Sequence, residues 1–177
     1  AILNEINQPF HKIITLEDPI EYRLDGINQI QANPAIGLNF SNLLRSVLRQ
    51  DPDIIMVGEI RDAETARLAI QAALTGHLVI SSLHTNNALG AVTRLIDMGI
   101  EPFLISAALK GVIGQRLIKK LCTNCRSERK ATPSETVAFG LTEDEIIANS
   151  KGCSTCHQTG FNGRVAIMEI LLSLIHI

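Results

Sequence analysis

Three apolar runs of strand length punctuate a chain otherwise spaced like helices. Lys12-Ile13-Ile14-Thr15-Leu16, Ile54-Ile55-Met56-Val57 and His77-Leu78-Val79-Ile80-Ser81-Ser82-Leu83 are short, rich in β-branched residues and bounded by breakers. They read as strands buried on both faces of a parallel sheet. Between them the period changes. Phe40, Leu43, Leu44, Val47 and Leu48 fall at i, i+3, i+4, i+7 and i+8, the stripe of a helix packed on a core. Asp62 is placed to cap a helix carrying Ala66, Ala69, Ile70 and Ala73 that Gly76 ends, and Asn86 or Asn87 to cap one carrying Leu89, Val92, Leu95 and Ile96 that Gly99 closes. Pro102 opens what reads as a longer helix through Ile105, Leu109, Ile113 and Leu117, with Arg116, Lys119 and Lys120 at its negative end. A first helix with Ile2, Leu3 and Ile6 on one stripe stops at Gln8-Pro9, and Gly26 to Ala32 reads as a turn and a short strand. Late in the chain Thr142 and Glu145 match a capping box, predicting a short helix from Glu143. Asn162-Gly163 predicts a hairpin turn before a strand Val165-Ala166-Ile167-Met168.

Polar residues gather where the apolar runs stop. Glu59 stands one glycine past the second run, followed by Arg61 and Asp62; Glu17, Asp18 and Glu21 follow the first, with Pro19 among them; His84 follows the third. Ligands of open α/β sheets bind at the carboxyl ends of the strands, so this convergence is what a nucleotide site requires. An acid there can coordinate a metal or polarise a water, and crowded carboxylates call for a cation or a shared proton. Solvated acidic turns are the plain alternative. Arg45 and Arg49 lie one turn apart with no acid on their own helix to neutralise them; they form either an exposed basic face or, with Arg61, a set of guanidinium forks for phosphate.

The composition leaves this picture standing. A chain of 177 residues with 46% hydrophobic and 19% charged residues matches an ordinary α/β protein of one or two domains. A net charge of −2 and no basic tract argue against a nucleic-acid partner. No run approaches the ~20 apolar residues of a membrane-spanning helix.

The four cysteines carry the most specific spacing. Cys122-x-x-Cys125 and Cys153-x-x-Cys156 form two knuckles 27 residues apart and use every cysteine in the chain. Each two-residue gap lets both thiolates face one point, and two such pairs complete the tetrahedral sulfur shell that structural zinc prefers. Disulfides would need an oxidising compartment. Cys153-Ser154-Thr155-Cys156-His157 also fits a c-type haem attachment site, which would leave Cys122 and Cys125 unexplained. A paired-thiol redox site suits either knuckle alone better than both.

The segment Leu48 to Asp62, with Gly58-Glu59 in place of the commoner Asp-Glu of a Walker B motif, resembles the secretion ATPases that drive bacterial type II secretion and type IV pilus assembly. Glu17-Asp18-Pro19-x-Glu21 resembles their aspartate box, and the stretch around His84-Thr85 their histidine box. The resemblance implies a fold and a chemistry: an α/β, RecA-like phosphate-loop ATPase core over residues 1–121, a tetracysteine zinc module over 122–160, and a hairpin or strand region over 161–171. It implies ATP hydrolysis with Mg2+, with Glu59 and Glu17 as catalytic candidates and His84, with His77 more weakly, sensing the γ-phosphate or coupling subunits. Asp18 and Glu21 would stand beside the phosphates. Arg45, Arg49 and Arg61 would reach phosphate oxygens within or between the subunits of a cytoplasmic homohexamer. That hexamer would be peripheral to the inner membrane and dock on secretion or pilus platform proteins through amino-terminal domains. A tetracysteine module favours secretion or assembly over retraction, and Met98-Gly99-Ile100-Glu101-Pro102-Phe103-Leu104-Ile105 leans toward secretion.

One motif of that family is missing. No G-x-x-x-x-G-K-[S/T] occurs in these residues, and a hydrolase of this class needs that loop to cradle the β- and γ-phosphates. The expectation is a carboxyl-terminal piece that begins inside a helix, binds ATP poorly alone and hydrolyses none. Residues 172–177, Leu-Ser-Leu-Ile-His-Ile, read as an adapter-derived scar or as a natural strand end. A different class of function, a catalytically silent zinc-bearing adaptor, stays open on the sequence alone.

Overall fold

The computed structural model describes residues 2–142 and 144–173. Helix α1 (Ile2–Ile6) leads into strand β1 (Ile13–Glu17), followed by β2 (Asn28–Gln31), α2 (Phe40–Val47), β3 (Ile54–Val57), α3 (Ala63–Leu74), β4 (Leu78–Ser81), α4 (Ala88–Asp97) and α5 (Pro102–Ala108). The four strands form one parallel sheet in the order β2-β1-β3-β4. Ile14 pairs with Ile55, and Ile55 with Val79.

Alternation along the strands sorts side chains into two cores, as a pleated strand must. Ile14, Leu16, Ile55 and Val57 point into the larger one, with Leu43, Leu44 and Val47 of α2, Ala66, Ala69 and Ile70 of α3, Leu95 of α4 and Ile105 of α5. Ile13 and Ile54 point the other way, onto Ile27, with Leu3 and Ile6 of α1 packed alongside. Sequence-specific caps start the helices: the side chains of Asn39, Asp62 and Asn87 accept from the backbone N–H groups of Asn42, Thr65 and Gly90. Strand β4 departs from expectation. It forms one edge of the sheet, with Leu78 46% exposed and the ends of the strand open, so it is not buried on both faces.

The long helix expected after Pro102 does not form. Helix α5 stops at Ala108, Leu109 turns extended (φ −75°, ψ 114°), and Gly111–Leu121 is strand β5. Spacings of four residues are even as well as near-helical, so Ile113 and Leu117 share a face of a strand as readily as of a helix. Strand β5 pairs with β8 (Phe161–Leu172). Ser173 N–H donates to Lys110 O, and Cys122 N–H to Gly160 O, so the two strands run antiparallel. The expected hairpin at Asn162-Gly163 is absent: both residues lie inside β8, where Gly163 holds a φ of +77°, as a bulge glycine does. Leu172 ends that strand; residues 174–177 of the proposed scar lie outside the described residues.

Residues 115–168 form a second compact unit, the rest of the chain the first. In the second, β6 (Arg126–Lys130) and β7 (Ile146–Ser150) pair antiparallel, Arg126 opposite Ser150 and Lys130 opposite Ile146. Their connection carries α6 (Pro133–Phe139), opened by a capping box of Thr132 and Glu135. The helix expected from Glu143 is replaced by β7. Glu145 accepts from the backbone N–H and hydroxyl of Thr142 and its own N–H donates to Thr142 O, half of a capping box, closing a turn with no helix behind it.

Candidate functional site

Because the sheet is parallel, its carboxyl ends share one edge, and a cleft of about 290 Å³ opens there, lined by Glu17, Asp18, Phe40, Gly58, Glu59, Arg61, Ser82 and His84 together with Pro19 and Met56. Glu59 is a well-sheltered charge, with a side chain 12% exposed. Its Oε2 accepts from Arg61 Nε at 2.5 Å and lies 3.3 Å from His84 Nε2. Both partners are open to solvent, Arg61 at 70% and His84 at 82%. Glu17 is fixed from inside the sheet: its Oε1 accepts from the hydroxyl of fully buried Thr15 at 2.5 Å and from Gln29 Nε2 of β2 at 2.8 Å. Buried polar groups need such partners.

Backbone geometry makes the floor. Gly58 N–H donates to Leu16 O at 2.7 Å, and a Cβ at Gly58 would come within 3.0 Å of that oxygen. Glycine lets the strands approach there. The hydroxyls of Ser81 and Ser82 donate to Val57 O at 2.8 Å and Gly58 O at 2.6 Å, stitching the end of β4 to β3. Thr15, Gln29, Phe40, Met56 and Ser82 escaped the sequence reading; the Ser81-Ser82 pair just before His84 was the one visible trace.

The remaining expected residues lie elsewhere. Arg45 reaches across to α3 and pairs with Glu64 at 2.5 Å, so the acid missing from its own helix comes from the next. Arg49 donates to Arg45 O at 3.0 Å and to Ser46. His77 precedes β4, at the amino end opposite His84, with Nδ1 2.9 Å from Ala72 O. Glu21 is exposed and outside the cleft lining.

In the second unit the four cysteine sulfurs lie within 4.8 Å of one another. Cys122 and Cys153 are 3.9 Å apart, Cys125 and Cys156 3.9 Å, and Cys153 and Cys156 3.7 Å. Four sulfurs at about 2.3 Å from one zinc stand roughly 3.8 Å apart in a tetrahedron, whereas a disulfide requires about 2.05 Å. The donor set therefore fits zinc and no disulfide forms. Donors already face the sulfurs: Cys153 N–H and Gly160 N–H point to Cys156 Sγ at 3.2 and 3.3 Å, and Asn124 Nδ2 to Cys153 Sγ at 3.5 Å. The Asn124 amide, with a backbone hydrogen bond at Cys156, lowers the Cys153 thiol to about 6. Burial opposes ionisation of Cys156, yet the N–H groups of Cys153 and Gly160 bring it below the usual thiol value. Burial pushes Cys125 up to about 11.

The chain matches the family described as "Type II/IV secretion system protein" over residues 1–176. It belongs to that family. It is 52% identical over 174 residues to the type II secretion system protein E of Aeromonas hydrophila, covering 97% of this chain and 35% of that protein. It is 54% identical over 176 residues to the type IV pilus assembly ATPase PilB of Thermus thermophilus, covering 97% of this chain and 20% of that one. Among solved structures, the pilus retraction motor PilT with bound ADP superposes with a TM-score of 0.66 at 33% identity, over 97% of this chain and 41% of that one. The α/β core expected from the sequence is thus the fold of these motors. The chain spans between a fifth and about a third of the length of these curated relatives. Among the described residues no helix is long and apolar enough to cross a membrane.

Proposed function

We propose that the intact protein is an ATPase that powers type II secretion, working as a cytoplasmic homohexamer at the inner membrane. The observation that carries this reading is the meeting of Glu17, Asp18, Glu59, Arg61 and His84 in one cleft at the carboxyl edge of a parallel sheet. Glu59 orients and deprotonates the attacking water, and Glu17, locked by Thr15 and Gln29, is the second carboxylate able to do so. His84 and Arg61 hold the Glu59 carboxylate, and Arg61 carries positive charge that phosphate oxygens need. Asp18 stands beside them in the lining. The carboxylates offer hard oxygen donors of the kind magnesium takes; bound there, it would neutralise phosphate charge. Arg45 and Arg49, on an exposed helix face, serve a neighbouring subunit, as do His77 and Glu21, which also lie outside the cleft lining. Four cysteines would hold zinc as a structural ion, with Cys122, Cys125, Cys153 and Cys156 filling its shell.

Type IV pilus assembly is the second reading, favoured by the 54% identity to PilB. Glu59→Gln in the intact protein tests the chemistry common to both. Turnover of ATP should fall by about 100-fold or more while melting temperature and zinc content stay at wild-type values. Wild-type turnover in the variant would remove Glu59 from its role, and an intact wild-type protein that turns over no ATP would leave the zinc-bearing adaptor.

A further inference from the structure

Glu169 lies on β8, far along the chain from the cleft, and its Oε2 accepts from the backbone N–H of Ala88 at 2.9 Å. Ala88 is the first residue of α4 and is 1% exposed. Its N–H is one of the four donors a helix start leaves unmatched, and a carboxylate there also meets the positive end of the helix. Asn87 does not serve it: an N-cap side chain reaches the second or third N–H of its helix, and this one accepts from Gly90 N–H at 2.7 Å. The neighbouring strand leaves room for the bond: a Cβ at Gly114 would sit 3.3 Å from both Ala88 N and Glu169 Oε2.

Four residues before Ala88 stands His84, with Nε2 3.3 Å from Glu59 Oε2. At 82% exposed, its side chain gets little placement from packing. The short segment that carries it is held at its two ends. Ser82 binds Gly58 O on the strand side, and within the segment Thr85 N–H donates to Leu83 O and the Thr85 hydroxyl to Asn87 O, each at 3.0 Å. On the helix side Glu169 adds a hydrogen bond to the packing of Ala88, Ala91 and Leu95.

We propose that Glu169 is a positioning residue for His84: by fixing the first residue of α4 it fixes the loop that holds the imidazole over Glu59. The inference rests on the ATPase reading for its consequence, though not for its geometry. Glu169→Ala removes the acceptor; Glu169→Gln keeps an oxygen in place and drops the charge.

Two measurements on the intact protein test it. In hydrogen exchange read by mass spectrometry, the peptide containing residues 84–90 should exchange faster in Glu169→Ala and near the wild-type rate in Glu169→Gln. In steady-state turnover, Glu169→Ala should lower kcat by about 10-fold with little change in KM, as small misplacements of reacting groups do. Glu169→Gln should retain most of it. The loss should vanish when Glu169→Ala is placed in a His84→Ala background, since residues acting through one another are not additive. Unchanged exchange at 84–90, or equal losses in both backgrounds, would overturn the proposal. Faster exchange in a protein whose wild type shows no turnover would uphold the positioning and sink the ATPase reading instead.

Discussion

Cys122 is 1% exposed and Cys156 4%, while Cys125 and Cys153 are half-buried. A buried thiol without a metal behaves as a small apolar group, but these four sulfurs face one another with amide donors aimed at two of them. At Cys153 and Cys156 that arrangement stabilises the thiolate, the form a metal binds. Cys122→Ser should therefore drop zinc in the purified intact protein from about one per chain to well below half, measured by mass spectrometry of metals. Undiminished zinc would place the ion elsewhere. This cluster was the most legible feature of the sequence, because a two-residue gap fixes local geometry without help from distant chain. The grip on Glu17 was not legible. It depends on Gln29, brought alongside by strand pairing, and long-range pairing leaves no local trace. Glu169 and Ala88, 81 residues apart, went unseen for the same reason.

Among the elements, α6 shows how one ion pair can govern a short helix. Arg129 of β6 binds Glu135 through two bonds of 2.7 Å, and Glu135 also accepts from the N–H and hydroxyl of Thr132. A seven-residue helix is marginal by itself, so this bidentate clamp anchors it to the hairpin. The Arg129 hydrogen bonds, then those of Thr132, hold the Glu135 carboxyl well below the usual carboxylate range. A folded-state value below the unfolded one gives stability that is fully present above the unfolded value of about 4.3 and is lost as pH falls beneath it. Comparing wild type with Glu135→Gln by thermal melting, the wild-type advantage should be constant above pH about 5 and shrink toward pH 3. A gap that stays level across that range would mean that Glu135 acts by shape rather than charge. Strand-ending residues and caps were read correctly in the first unit, where apolar runs of the strands and helix stripes differ in length and period. After Pro102 the four-residue spacing of Ile105, Leu109, Ile113 and Leu117 satisfied both periods, and the chain turns extended at Leu109 and continues as a strand from Gly111.

For the whole molecule, the telling fact is where the second unit joins the first. The chain leaves the first unit after Gly114 and returns at Glu169, and these two crossings lie on β5 and β8, partners in one ribbon. Paired strands sit roughly 5 Å apart, so a long stretch of sequence departs and comes back through a gap that a tight turn can span. Replacing residues 115–168 with Asn-Gly should remove the zinc and leave the first unit folded, as judged by circular dichroism and a single cooperative melt. Loss of that melt would show the first unit to depend on the second. Such a seam is what makes a piece exchangeable: one splice could give this fold its cysteine-bearing unit or take it away, with the cleft of Glu17, Glu59 and His84 inherited intact either way.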